Sequence, residues 1–302
     1  MESFFRMLDA QAVLLVYLCI GFYCAKKDII DGHTKQKLTD LILQITLPCM
    51  IFESFDRPLT PELLKQTFAV LMVALMIAIL SYLCGKVLYN CYPWEKKSVL
   101  QYATLVNNCG FLGLPMVSAV YGSEGLLFAS IFIIPNRIFM WTAGISIFTK
   151  ADLKSNLKNI LLNPCIITVI LGLGRRILNI PVHEVIDTAV SAIGQVTTPL
   201  SMFVIGTMVV GVSIPSLFEK SIFYLSFVRL IALPMAALVI LNLIHMSPLL
   251  TGVSLILTGM PAGSTSVLLA VKYGVNADYA SRCVVMTTIL SLITIPILML
   301  FL

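Results

Sequence analysis

The chain has 302 residues, of which 59% are hydrophobic and 12% charged, with a net charge of +5 and a mean hydropathy of +0.97. Soluble domains carry about 25% charged residues, so an ordinary soluble fold is excluded. Runs such as 67–84, TFAVLMVALMIAILSYLC, approach the ~20 residues a helix needs to cross a hydrocarbon core. The class is an all-α polytopic membrane protein.

In chain order the apolar pattern predicts ten spans, near 10–25, 37–55, 66–89, 99–121, 126–148, 159–177, 185–212, 219–243, 249–271 and 280–301. Residues 1–10, MESFFRMLDA, lack a basic n-region, and no cleavage pattern ends the first apolar run. They read as part of a retained first span rather than a signal peptide. Pro48 in the second span and Pro199 in the seventh occupy corresponding places and predict kinks. The polar stretch 149–158, TKADLKSNLK, divides the chain into halves of five spans, 1–148 and 159–302. An odd number of spans per half requires any repeat to be inverted across the membrane. Traces of a repeat lie in ITLPCMIFESF (45–55) against VTTPLSMFVIG (196–206), and in AVYGSEGLLFAS (119–130) against AVKYGVNADYAS (270–281).

Basic residues give the orientation. The loops at 26–37, 86–97, 150–158, 220 and 272–282 hold thirteen Lys and Arg, whereas the opposite ends hold five: Arg6, Arg57, Lys65, Arg175 and Arg176. The rich side is read as cytoplasmic, which places both termini outside a cell membrane. The net charge thus reflects topology in a lipid bilayer and does not imply nucleic acid. The eight Cys show no paired CxxC spacing and read as packing residues, and the three His are scattered, so no metal or cofactor is expected. There is no GxxxxGK[ST] loop of an ATP-driven pump, and no HExxH or mid-span Asp pair of an intramembrane protease.

Two stretches break the apolar pattern. NNCGFLGLPM (107–116) places two Asn, two Gly and a Pro inside the fourth span, and GMPAGSTS (259–266) interrupts the ninth. Pro removes a backbone donor and Gly weakens a helix. In lipid such a break survives only when buried in protein or facing water. A pair of interrupted segments in matching halves is the sequence mark of a transporter's binding site.

The run NNCGFLGLPMVSAVYGSEG resembles the fourth-span signature of the auxin efflux carrier (PIN-like) family of membrane permeases. In order along the chain, 26–55, NPCIITVILGL (163–173), TPLSMFVIGTMVVG (198–211) and MPAGSTSVLLAVKYGVNADYAS (260–281) are similar to other parts of that family. The connection between spans five and six is about ten residues, which resembles the compact bacterial type, so the plant hormone is not the expected substrate. The resemblance implies two inverted five-helix repeats with broken helices 4 and 9 crossing near the bilayer midplane. It also implies a scaffold from the first two spans of each half, a mobile domain from the other six, and homodimers through the scaffold. It implies secondary transport of small organic anions such as mono- or dicarboxylates.

Candidate substrate-binding residues follow from the breaks. Asn107, Asn108, Gly110, Gly113 and Pro115 form one wall; Gly259, Pro261, Gly263, Ser264, Thr265 and Ser266 form the other. Amide and hydroxyl groups supply donors and acceptors, and half-helix N-termini favour an anion. Arg137, beside Asn136 and Pro135 in the fifth span, is costly in lipid unless paired or wetted. It either receives a substrate carboxylate or bonds carbonyls freed at Pro135. Arg229 reads as snorkelling to the interface, and Glu53 and Asp56 as solvated. Asp40 and Asp187 are the carboxylates nearest a proton-coupling role, and the driving ion stays open between H⁺ and Na⁺. The expected activity is that of a secondary permease and not of an enzyme, with a passive channel or a non-transporting receptor as alternatives.

Overall fold

The computed structural model describes residues 2–56, 60–149, 158, 161–178, 180–210 and 213–302. Among them the chain is helical, and its one extended pairing is an isolated antiparallel bridge between Asn107 and Ala262. The helices are α1 (Glu2–Lys26), α2 (Gly32–Leu41), α3 (Leu47–Ser54), α4 (Pro61–Leu88), α5 (Trp94–Leu105), α6 (Leu114–Phe139) and α7 (Ile145–Phe148). In the second half they are α8 (Pro164–Ile177), α9 (Glu184–Gln195), α10 (Thr197–Val209), α11 (Ile214–Leu217), α12 (Lys220–Phe227), α13 (Leu233–Leu243), α14 (Pro248–Thr258), α15 (Thr265–Lys272) and α16 (Ala277–Met299).

Six described segments have the length and apolar character to cross a membrane: Leu8–Lys26, Pro61–Leu88, Cys109–Phe148, Glu184–Val209, Lys220–Leu243 and Ala277–Met299. The sequence pattern predicts ten. The difference has local causes. The second predicted span starts with the polar helix α2, the fourth and ninth are cut by their breaks, and α8 has 14 residues. The 40-residue run Cys109–Phe148 is in turn interrupted at Gly122, where φ is +63°. Gly274 adopts φ +66°, one residue out of register with Gly122 in the repeat trace, which sets Tyr273 opposite it. Both lie in the left-handed region that glycine enters without a Cβ penalty. The polar stretch 149–158 falls almost wholly outside the described residues.

Local chemistry sets the helix ends. Asp31 accepts from the Thr34 N–H at 2.7 Å, Thr60 from Leu63 N–H at 3.1 Å, Asn163 from Cys165 N–H at 3.1 Å and Asn276 from Tyr279 N–H at 2.9 Å. Each caps a first turn whose N–H groups have no helical partner. The Thr34 hydrogen bond also holds the Asp31 carboxyl below its usual pKa. Single π turns at Ile42–Thr46, Cys109–Gly113 and Val228–Ala232 each run directly into a Leu-Pro pair, Pro48, Pro115 and Pro234. A widened turn shifts the hydrogen-bond register before a residue that cannot donate. At Pro48, where the sequence predicts a kink, the π turn Ile42–Thr46 makes this register change.

The helices fall into two packed groups. α1 lies against α10, and α3 lies against α8 and α9. Glycine sets these approaches: a Cβ on Gly206 would run into the Leu18 carbonyl, one on Gly21 into the Phe203 carbonyl, and one on Gly194 would sit 3.0 Å from the Met50 backbone. Without a strong hydrophobic force between helices in lipid, such close backbone contact is what holds them. The second group contains α4 to α7 and α12 to α16, packed around α6, α14 and α16.

Ion pairs tie the ends. Where α5, α12 and α16 begin, Lys96 meets Glu219 at 2.6 Å, and Arg282 meets Glu219 at 3.5 Å and Asp278 at 3.1 Å. Burial raises the Glu219 pKa, but hydrogen bonds from Lys96 and Ser221 and the nearby charges outweigh it and hold the carboxyl below its usual range. Where α3 ends, Asp56 pairs with Arg175 and Arg176, and Arg175 lies 3.6 Å from Asp187. Glu53 accepts from Ser191 Oγ at 2.7 Å. Glu53, half-buried, thus departs from the solvated reading, whereas Asp56 stays exposed and is also ion-paired, because α8 and α9 bring donors that the local sequence does not contain. Each cluster joins loops that the basic-residue count groups on one side.

Gly206→Ala should lower stability by about 1–3 kcal/mol through overpacking, read as a fall of several degrees in the thermal midpoint in detergent. Gly32→Ala, with open space around its Cβ, should not lower it. Glu219 has a depressed folded pKa, so its contribution is full above the ordinary carboxylate pKa and fades as pH falls through the folded value. Thermal midpoints measured from pH 7 to pH 3 should show a steeper acid loss for the natural protein than for Glu219→Gln.

Candidate functional site

The two breaks meet. Asn108 N–H donates to the Pro261 carbonyl at 2.8 Å, and Gly263 N–H donates to the Val106 carbonyl at 3.0 Å. This short antiparallel bridge replaces helical bonds that the breaks remove. Its neighbours follow the same accounting, in which every buried carbonyl and amide needs a partner. Pro261 has no N–H for the Leu257 carbonyl, and Asn107 Nδ2 fills that place at 2.6 Å. Ala262 N–H turns away from α14 and donates to Thr287 Oγ1 on α16 at 3.1 Å. With Asn108 N–H committed across the bridge, the Thr104 carbonyl is released, and Arg229 Nη1 donates to it at 3.2 Å. Arg229 Nε donates to the Met260 carbonyl at 3.1 Å.

Arg229 is thus a correction. The sequence reading sends it to the membrane interface; in the structure it is 1% exposed and bonded to the ends of both breaks. The π turn Val228–Ala232 carries it inward from between α12 and α13. A charged residue in an apolar span is a signal, but its partners lie 125 and 31 residues away in sequence.

The predicted site residues divide by what they do. Asn107 is fully engaged: besides its bond to Leu257, its Oδ1 accepts from Asn136 Nδ2 at 3.0 Å and from Cys109 N–H at 3.3 Å. Asn136 is thereby tied to the first break. Asn108 is buried, but its side-chain amide has no partner among the described residues. Gly113 serves packing, since a Cβ there would lie 2.8 Å from Leu257. Pro115 follows the π turn Cys109–Gly113, whose shifted register accommodates its missing N–H. At the second break, Ser266 Oγ donates back to the Gly263 carbonyl at 2.7 Å, and Thr265 Oγ1 pairs with the Tyr102 hydroxyl at 3.0 Å. Ser264 is half-exposed with no hydrogen bond from its hydroxyl. Gly259 and Gly263 admit close neighbours, with virtual Cβ distances of 3.1 Å to Leu298 and 3.2 Å to the Asn107 carbonyl.

Arg137 and Arg229 each keep one buried nitrogen, Nε and Nη2 respectively, without a partner among the described residues, but Arg137 makes no bond to a backbone carbonyl. It is 8% exposed, its Nε is buried without a partner among the described residues, and its guanidinium donates only to Met140 Sδ at 3.5 Å. It does not bond the carbonyls freed at Pro135. Gly110 faces it so closely that a Cβ would lie 2.5 Å from Nη2. The first break thus packs its Gly110 backbone directly against an incompletely paired cation. Asp40, by contrast, accepts from Gln36 and Asp187 pairs with Arg175, both away from the breaks.

Residues 7–299 match the family model described as membrane transport protein. The chain belongs to this auxin efflux carrier-like family. Relatives agree in description and span. An "uncharacterized transporter" of Methanocaldococcus jannaschii is 26% identical, covering 96% of this chain and 97% of its own length. One from Methanothermobacter thermautotrophicus is 22% identical and one from Escherichia coli K12 is 20% identical, each covering 94% of both chains. The family and its apolar helices make this a multi-pass membrane protein of transporter type.

The two adjacent Asn should separate in a stability measurement. Asn107→Ala leaves Leu257 O and Cys109 N–H unpaired and should cost about 1–3 kcal/mol. Asn108→Ala removes no hydrogen bond and should leave the thermal midpoint within about a degree of the natural protein.

Proposed function

We propose that the protein is a secondary active permease for a small organic anion, a mono- or dicarboxylate, held where the two breaks cross. The observation that carries this reading is the buried Arg137 guanidinium, whose Nε is unpaired and whose Nη2 lies against Gly110. A guanidinium in an apolar span is costly until a carboxylate supplies the missing acceptors, and a two-pronged pair supplies them best. Asn108 and Ser264 add free amide and hydroxyl groups to the same region of the two breaks. The N-termini of α6 and α15, which open after the breaks, add partial positive charge suited to an anion.

In this reading the chain has ten spans in two inverted five-helix repeats. The paired left-handed turns at Gly122 and Gly274 and the antiparallel meeting of the two breaks support it. The group containing α1, α3, α8, α9 and α10 is the scaffold, and the rest moves against it. Two copies joined through the scaffold bury part of the exposed apolar surface at Ile170, Leu171, Val185 and Ile186. Both termini lie outside the cell, and an H⁺ or Na⁺ gradient drives the movement.

A thermal-shift screen of purified protein against mono- and dicarboxylates tests the site. A stabilising carboxylate should bind Arg137→Gln about 10–100-fold more weakly, the loss of one charge-assisted hydrogen-bonded pair. Asn108→Ala should weaken it by a smaller factor. Unchanged affinity in both variants would move the site elsewhere. Counterflow in vesicles, seen as transient accumulation of labelled carboxylate, separates a carrier from a channel.

A further inference from the structure

We infer that Arg229 acts as a built-in cation at the crossing, so that anion binding there requires no sodium ion. The inference rests on the reading of the crossing as the transport site. α5 ends at Leu105 and α14 at Thr258, immediately before the two breaks. Each helix C-terminus carries roughly half a negative elementary charge, so two converging ends present about one. In transporters built on interrupted helices, such C-terminal ends and unwound carbonyls coordinate the coupling cation. Here the guanidinium of Arg229 occupies that position. Its Nη1 donates to Thr104 O, in the last turn of α5, and its Nε to Met260 O, just past the end of α14.

Three features separate this group from Arg137. Arg229 is 1% exposed, against 8% for Arg137. Its hydrogen bonds go to backbone carbonyls of both breaks, whereas Arg137 touches neither set. The carbonyls it serves are ones the breaks release, so they need a donor or a cation in every state that keeps the bridge. An arginine side chain does not lose its proton in a protein, so the position is permanently filled. A sodium ion would have to displace a tethered charge that already satisfies the same oxygens. The division of labour is then one fixed cation that closes the crossing and one available cation, Arg137, that meets the anion.

Sodium itself is the probe. Thermal midpoints of the purified protein should agree within about a degree in sodium chloride and in choline chloride at equal ionic strength. Scintillation-proximity binding of ²²Na⁺ should show no saturable component. Arg229→Ala should lose several degrees in choline and regain part of them in sodium, because the small ion can now reach the freed carbonyls. Arg229→Lys keeps a cation and should show no sodium response. Saturable ²²Na⁺ binding by the natural protein, or a sodium-specific stabilisation of it, would overturn the inference. So would an Arg229→Ala protein that loses stability and gains nothing from sodium, which would reduce the residue to a structural strap. Should Arg229→Ala fail to fold, the natural protein and Arg229→Lys still decide. None of these arms contains a carboxylate, so failure of the anion site at Arg137 and Asn108 is read separately.

Discussion

Unsatisfied backbone inside an apolar bundle is the constraint on which the rest of this structure depends. Two helices stop in mid-course, at Leu105 and Thr258, and each stop frees carbonyls and amides that lipid cannot bond. The chain resolves this by crossing the breaks and letting each repair the other. Asn108 bonds Pro261, Gly263 bonds Val106, and Asn107 takes the carbonyl that Pro261 cannot serve. Once that is done, Arg229 and Thr287 complete the set from neighbouring helices. The polar crossing is therefore held by its own chemistry before any solute is considered.

The same accounting separates structural from available groups. Asn107, Thr265 and Ser266 are committed to protein partners, whereas Asn108, Ser264 and Arg137 retain unused hydrogen-bonding capacity. A site for a solute needs the second kind, positioned by the first. Family membership and the transporter relatives fix the broad activity. The unpaired guanidinium is what narrows the proposal to an anion.

Much of this was readable from composition and spacing. The helical membrane class followed from apolar content, and both breaks followed from Gly and Pro inside apolar runs, since those residues act through their own backbone. Partners were not readable, because they are set by distant segments. Asn107 and Asn108 are chemically identical neighbours, and the positions of Leu257 O and Asn136 Nδ2 tell them apart. Arg229 looked able to reach the interface because span depth says nothing of rotation, and the π turn at Val228–Ala232 directs it inward. The partners of Glu53 and Asp56 were hidden because Ser191, Arg175 and Arg176 lie more than a hundred residues away. The span count differed for a related reason: interrupted helices lose the length that marks a crossing.

The glycine contacts between α1 and α10 bear on how such a molecule can move. Where Gly206 meets the Leu18 carbonyl and Gly21 meets that of Phe203, two backbones touch with no side chain between them to act as a bearing. Such a joint resists sliding, because a shift of one residue would drive a bulky neighbour into main-chain atoms. α1 and α10 must then travel as a single rigid strut. In the proposed movement the gliding surface then lies where α1 and α3 meet α6 and where α1 meets α16.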